Sequence, residues 1–141
     1  LASKAASVRL TDIQNDPKLL GVVSSDPAFI MGSYSDLNKG NNVPVALLGR
    51  VPVKVSLENG EIKAGDALTS STRKGYAAKA IKSGRIIGYA MEDYKTAANT
   101  EKIMVFVRPG WHQSEEPVIA LAPSADLGYQ KINGSVIIRL G

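Results

Sequence analysis

Between Val43 and Arg108, short apolar runs alternate with Gly-centred turns at intervals of about ten residues. No stretch there sustains the period of an amphipathic helix, so the pattern predicts an all-β domain. Val51, Val53, Val55 and Leu57 alternate with Pro52, Lys54 and Ser56, which puts the apolar side chains on one face of a half-buried strand. Asn59-Gly60 suits a type I′ turn, with Ile62 resuming the apolar pattern on a returning strand. Pro52 has no N–H to give a ladder and predicts an edge strand or a bulge. Turns at Gly65-Asp66, Lys74-Gly75 and Ser83-Gly84 separate three further candidate strands, Ala67–Thr69, Tyr76–Ala80 and Arg85–Met91. Lys102–Val107 is apolar on both faces and is the predicted central strand.

The flanks are less regular. Residues 1–18 alternate loosely and predict an N-terminal arm or edge strand, broken at Asp16-Pro17. Leu19–Ser24 is a continuous apolar run of the kind that forms a buried strand. Gly32–Asn42 and the hydroxyl run Thr69–Thr72 read as polar loops, and Glu92–Glu101 as a polar insertion. The β-rich core domain is placed at residues 19–110, a linker at 111–117 and a C-terminal β-hairpin extension, turning at Asn133-Gly134, at 118–141. The expected architecture is a compact barrel-like or sandwich domain of short strands and tight hairpins, with an extended N-terminal arm. A terminal hairpin must satisfy its backbone groups and apolar face on its own domain or on a neighbouring copy. Strand addition between copies is the second case, with Val8, Leu10, Val118, Ile119, Leu121, Val136, Ile137, Ile138 and Leu140 as candidate contacts.

Composition narrows the classes. A chain of 141 residues is long enough to bury one core without covalent staples, and the absence of cysteine excludes disulfides and thiolate metal sites. The net charge of +4 comes from scattered Lys and Arg, which predicts a solvated surface and no nucleic-acid partner, since no basic stripe interleaved with aromatics is visible. No apolar run is long enough to enter a bilayer as a helix. The first residue is Leu1 and no signal peptide is present, so the chain is expected to be a processed product or a piece of a longer one.

Chemistry-bearing residues are few. Asp26, Asp36, Glu92 and Asp93 lie near turns, and two carboxylates held together could share a proton as acid and base. Asp26 and Asp66 are more simply turn residues that bond their own backbone. His112, the lone histidine, is assigned to the linker, away from any Ser-His-Asp arrangement. No metal or cofactor site is expected, because one His and carboxylates without EF-hand spacing remain. Trp111, Tyr34 and Tyr94 are the candidates for stacking on a carbohydrate.

Several motifs occur in one order: Leu20-Gly21-Val22-Val23-Ser24, Pro27-Ala28-Phe29-Ile30-Met31-Gly32, Val45-Ala46-Leu47-Leu48-Gly49-Arg50 with Val53-Lys54-Val55, Gly65-Asp66, Gly84–Gly88 and Ile103–Val107. This order, across about residues 19–109, resembles the C-terminal autoproteolytic intramolecular-chaperone domain of phage neck-appendage and tailspike proteins and of similar bacterial surface proteins. The resemblance implies a β-rich trimerising or capping module that cleaves itself with acidic residues. The Asp-x-Ala-Glu-aromatic stretch that precedes the first motif in that family is absent from Leu1–Lys18. The expectation is therefore a non-catalytic structural subunit that self-assembles through β-strand contacts in an extracellular filament, surface appendage or phage fibre. An autoproteolytic chaperone and a carbohydrate-binding or adhesion module are the alternatives.

Overall fold

The computed structural model describes residues 7–31, 42–96 and 101–115, together with strands at 131–132 and 135–136. The described residues hold strands and no helix, in the order β1 (Val22–Val23), β2 (Val45–Ala46), β3 (Gly49–Lys54), β4 (Ala67–Ser70), β5 (Ala77–Lys79), β6 (Gly84–Ala90), β7 (Lys102–His112), β8 (Lys131–Ile132) and β9 (Ser135–Val136). The class is all-β. The body is a five-stranded antiparallel sheet ordered β3-β7-β6-β4-β5. Its outermost strands approach each other at one parallel bridge, Val55 to Ala77, and the Ser56 amide donates to the Ala77 carbonyl at 2.8 Å. The sheet therefore curls around its own core, although one bridge is not a closing ladder.

Alternation on β3 builds one wall of that core. Val51, Val53 and Val55 are buried while Pro52 and Lys54 are exposed, as the period of two requires. The register sets Val51 opposite Val105 and Val53 opposite Ile103, and Val105 in turn faces Ala90 on β6. Leu68, Ile87, Ile62 and Tyr94 fill the space between, and Leu19, Val22, Ala46 and Leu57 pack on from outside. Ala-rich β5 lets the narrow end of the sheet close tightly, since Ala77 and Ala78 present little bulk.

Five expectations change. Lys102–Val107 is central, between β3 and β6, but only Ile103, Val105 and Val107 are buried; Phe106 faces solvent because the curled sheet has a single core. β7 continues through Pro109 to His112, so Trp111 and His112 are strand residues paired with Arg85 and Gly84 rather than a linker. Pro109 is tolerated because β3 has already ended opposite Val107 and the β6 register shifts between Ile86 and Gly88. Glu58 and Asn59 keep negative φ, with Gly60 at φ 93° accepting the bend, and Ile62 pairs with Tyr94 instead of returning along β3. That turn is not type I′.

The run Thr69–Ser71 is buried, not a surface loop, because each hydroxyl is consumed: Thr69 Oγ1 donates to the Arg85 carbonyl at 2.7 Å, Ser70 Oγ accepts from the Asp16 amide, and Ser71 Oγ pairs with Ser56 Oγ. Lastly, Leu19–Ser24 contributes only the short strand β1, paired with β2 in a separate two-stranded ribbon and carrying exposed Leu20 and Val23.

Residues before β1 lie across the body. Asn15, in the left-handed region at φ 54°, donates from its side chain to the Ser83 carbonyl at 3.1 Å and from its backbone to the Ser70 carbonyl at 3.2 Å. Its amide sits where a side chain at Gly84 would otherwise be. Val8 and Leu10 of this segment are exposed and outside any strand, with Leu10 against Gly75. Further along the chain β8 and β9 pair antiparallel, Lys131 with Val136 and Ile132 with Ser135.

The bulge on β7 makes one position intolerant. Gly88 has φ 150°, and a Cβ there would run into the Phe106 carbonyl oxygen and lie 2.9 Å from the Arg108 nitrogen, both backbone atoms that cannot turn aside. Gly88→Ala should destabilise the domain by about 2–4 kcal/mol through combined strain and ladder disruption. A urea midpoint within error of the native chain would show that the bulge relaxes freely.

Candidate functional site

With one face of β3, β7 and β6 committed to the core, alternate residues must stand on the other. Across these strands the register builds a row of Arg50, Phe106 and Tyr89 on that face, and beyond the register shift Arg85 pairs with Trp111. Met104 and Met91 continue the first row along the sheet, joined by the Met91 amide donating to the Met104 carbonyl. Phe106 and Tyr89 are 39% and 38% exposed, whereas Trp111 is 67% exposed. Trp111 is thus the more open of the three rings.

At the β7 bulge, Ile86, Tyr89, Arg108, Pro109, Gly110 and Trp111 line a shallow depression of about 190 Å³. The hollow lies at the bulge, where Arg108 and Pro109 together stand against the single residue Ile87 and Gly110 has no side chain to fill the space. Among the described residues the ion pairs join Arg73 to Glu101 and Lys79 to Asp66, so no carboxylate neutralises Arg50, Arg85 or Arg108. Arg85 donates only to the Leu19 carbonyl, at 3.4 Å. The face is thus aromatic and cationic at once.

The four candidate acids do different things. Glu92 accepts from the Met104 amide at 3.3 Å, and Asp93 from the Ala64 amide at 2.8 Å. Asp26 is exposed in the bend before Pro27, and Asp36 lies outside the described residues. Asp66 bonds its own turn, as expected, accepting from the Lys63 amide at 2.8 Å while pairing with Lys79 at 2.8 Å. Among the described residues no group of three or more His, Asp or Glu side chains comes together as a metal site would require. Tyr94 is buried in the core, which removes it as a stacking platform; its backbone exchanges both hydrogen bonds with Ile62 and holds the ring inward. Tyr34, Val118, Ile119, Leu121, Ile137, Ile138 and Leu140 lie outside the described residues, and Val136 falls in β9.

Two polar clusters that the sequence pattern did not signal hold the turns in place. Glu58 reaches Thr72, taking its amide at 3.1 Å and its hydroxyl at 2.6 Å, while Gln14 bridges Glu58 and Asn59. Burial would raise the Glu58 pKa, but the bonds from Thr72, Ser71 and Gln14 together hold it below the usual 4.5. Burial opposes ionisation at Asp66 in the same way, and Lys79 with the Lys63 amide outweighs it, keeping the group below 3.8. In the second cluster Glu101 accepts from the Tyr76 hydroxyl and from both guanidinium nitrogens of Arg73, which stacks 3.8 Å from the Tyr76 ring centre. The Tyr76 bond, then Arg73, lowers the Glu101 pKa, and the same bond raises that of Tyr76.

Comparison of the chain with family models, curated protein sequences and solved structures found no match.

Carboxylates whose folded pKa is depressed stabilise the fold fully above their unfolded values and lose that contribution as the pH falls through the folded ones. The urea midpoint should accordingly drop between pH 7 and pH 3, chiefly below the ordinary values of 4.5 for Glu58 and 3.8 for Asp66. The double variant Glu58→Gln, Asp66→Asn should be less stable at neutral pH and show a smaller acid-induced drop. Equal drops in the two proteins would assign the acid sensitivity to other groups.

Proposed function

We propose that this chain is a non-catalytic structural module that self-associates through β-strand and apolar surface contacts in an extracellular filament, surface appendage or phage fibre. The observation that carries the proposal is an inversion of use: the described polar side chains that are buried serve the fold, while large apolar ones are left outside. Thr69, Ser70 and Ser71 are buried and bonded, and Glu58, Asp66, Glu92 and Asp93 all accept from backbone amides. Against this, Phe29 is 81% exposed, Met31 89% and Leu48 73%. These residues flank the β1–β2 ribbon, whose pairing is limited to Val22 with Ala46 and Val23 with Val45.

A two-stranded ribbon of that length gains little from its own pairing, and among the described residues both its outer edges are open. Such edges are templates for another chain. The free edge of β3 suits addition less well, since Pro52 interrupts its row of donors. The ribbon, with Leu47 and Leu48 beside it, is therefore the contact favoured for a second copy. The order of motifs from Leu20 to Val107, similar to that of phage appendage domains, supports the same setting.

Light scattering of the purified full chain across a range of concentrations tests this directly. We expect an oligomer or filament whose mass falls to that of a monomer on Leu47→Asp, Leu48→Asp double substitution, with near-ultraviolet circular dichroism unchanged. A native chain that stays monomeric at every concentration would overturn the proposal.

A further inference from the structure

We propose that the depression at the β7 bulge binds the acidic sugar unit of an anionic polysaccharide, with the Trp111 indole as its stacking platform and Arg108 as the partner of its carboxylate. This site lies on the opposite side of the argument from self-assembly and does not rest on it: it uses β6 and β7, not the β1–β2 ribbon.

Three features converge there. The indole of Trp111 is well exposed, so it offers an apolar plane against which the C–H face of one sugar ring can lie. Beside it a shallow depression lies between Trp111, Pro109, Gly110 and Tyr89, open to solvent. Arg108 lines the same hollow, and Arg85 stands opposite Trp111 in the ladder. A guanidinium meets a carboxylate through two parallel N–H donors, so a uronate satisfies both the ring and the cation.

Charge selects the occupant further. Arg108 at the hollow and Arg85 paired with Trp111 have no carboxylate partner among the described residues, so the same surface of a second copy would meet like charge. A neutral glycan would leave the guanidinium unanswered. A single-stranded nucleic acid uses open rings in series along a phosphate track, and here one ring is well exposed while Phe106 and Tyr89 are largely covered. The geometry thus favours one sugar ring bearing one acid group, repeated along a polymer that makes the remaining, weaker contacts with Arg85.

Trp111 is the only tryptophan in the chain, so its fluorescence reports on this site and no other. The full chain would be titrated with hexagalacturonate, with maltohexaose and with a fifteen-nucleotide oligothymidylate, all in about 0.15 M salt to suppress unspecific attraction. We expect a saturable change in Trp111 emission with hexagalacturonate alone, and a loss of affinity of about tenfold or more in Arg108→Gln. Calorimetry on Trp111→Ala should show a similar loss, whereas Lys74→Gln, an equal charge change at a distant exposed turn, should bind as the native chain does. Absence of a saturable change at millimolar hexagalacturonate would overturn the proposal. So would tighter binding of oligothymidylate or maltohexaose, or binding that Arg108→Gln and Trp111→Ala leave intact.

Discussion

The close passage of β6 against β7 at Gly88 governs the rest of the domain. At that point the Phe106 carbonyl and the Arg108 nitrogen approach so near that no side chain can intervene, and the register shifts by the extra residue of β7. On the core side of the shift, Ala90 and Val105 meet Val51 in a continuous apolar row. On the far side, the strands run on as a pair beyond the reach of β3, carrying Arg85 and Trp111 outward. One irregularity thus divides β7 into a part that belongs to the core and a part that belongs to the surface. A bulge of this kind sharpens twist and re-aims side chains, which is how a single strand serves both purposes.

The interior shows the complementary constraint. Placing hydroxyl-rich β4 against small β5 brings polar groups inside, where each must find a partner or cost the fold its desolvation energy. Asn15, Asp16 and Ser56 supply those partners from other parts of the chain, and among the described residues no buried side-chain polar atom is left without one. Hydroxyl pairing is directional, so it locates β4 more sharply than alanine packing alone could. The segment before β1 is accordingly part of how the sheet is completed.

Much of this was legible in the residues. The alternation of Val51, Val53 and Val55 located the inner face of β3, Pro52 pointed to an edge strand or a bulge and the strand lies at an edge, and the apolar run after Lys102 marked an interior strand. What was not legible had physical causes. Phe106 is as apolar as Val105, and only the curvature of the sheet decides that one of them faces water. The polarity of Thr69–Ser71 pointed to a loop because its partners, such as Asn15 and Arg85, are far away in sequence. Pro109-Gly110 has the composition of a turn, and it becomes strand because the register shift accepts a residue without an N–H. Trp111 stood out as an aromatic, but its neighbours did not: Arg85 and Arg108 come beside it only through the pairing of β6 with β7 and the shift in their register.

The Asn15 clip carries a consequence for how the chain reaches this state. Its partners Thr69, Ser70 and Ser83 lie 54 to 68 positions later in the sequence. During synthesis residues 7–16 emerge first, yet they have nothing to bind until β4 and the turn into β6 exist. Closing so long a loop around one asparagine gains little unless the docking surface is already formed. A segment made before its partners is then among the last to settle, acting as a latch on a sheet assembled from later residues.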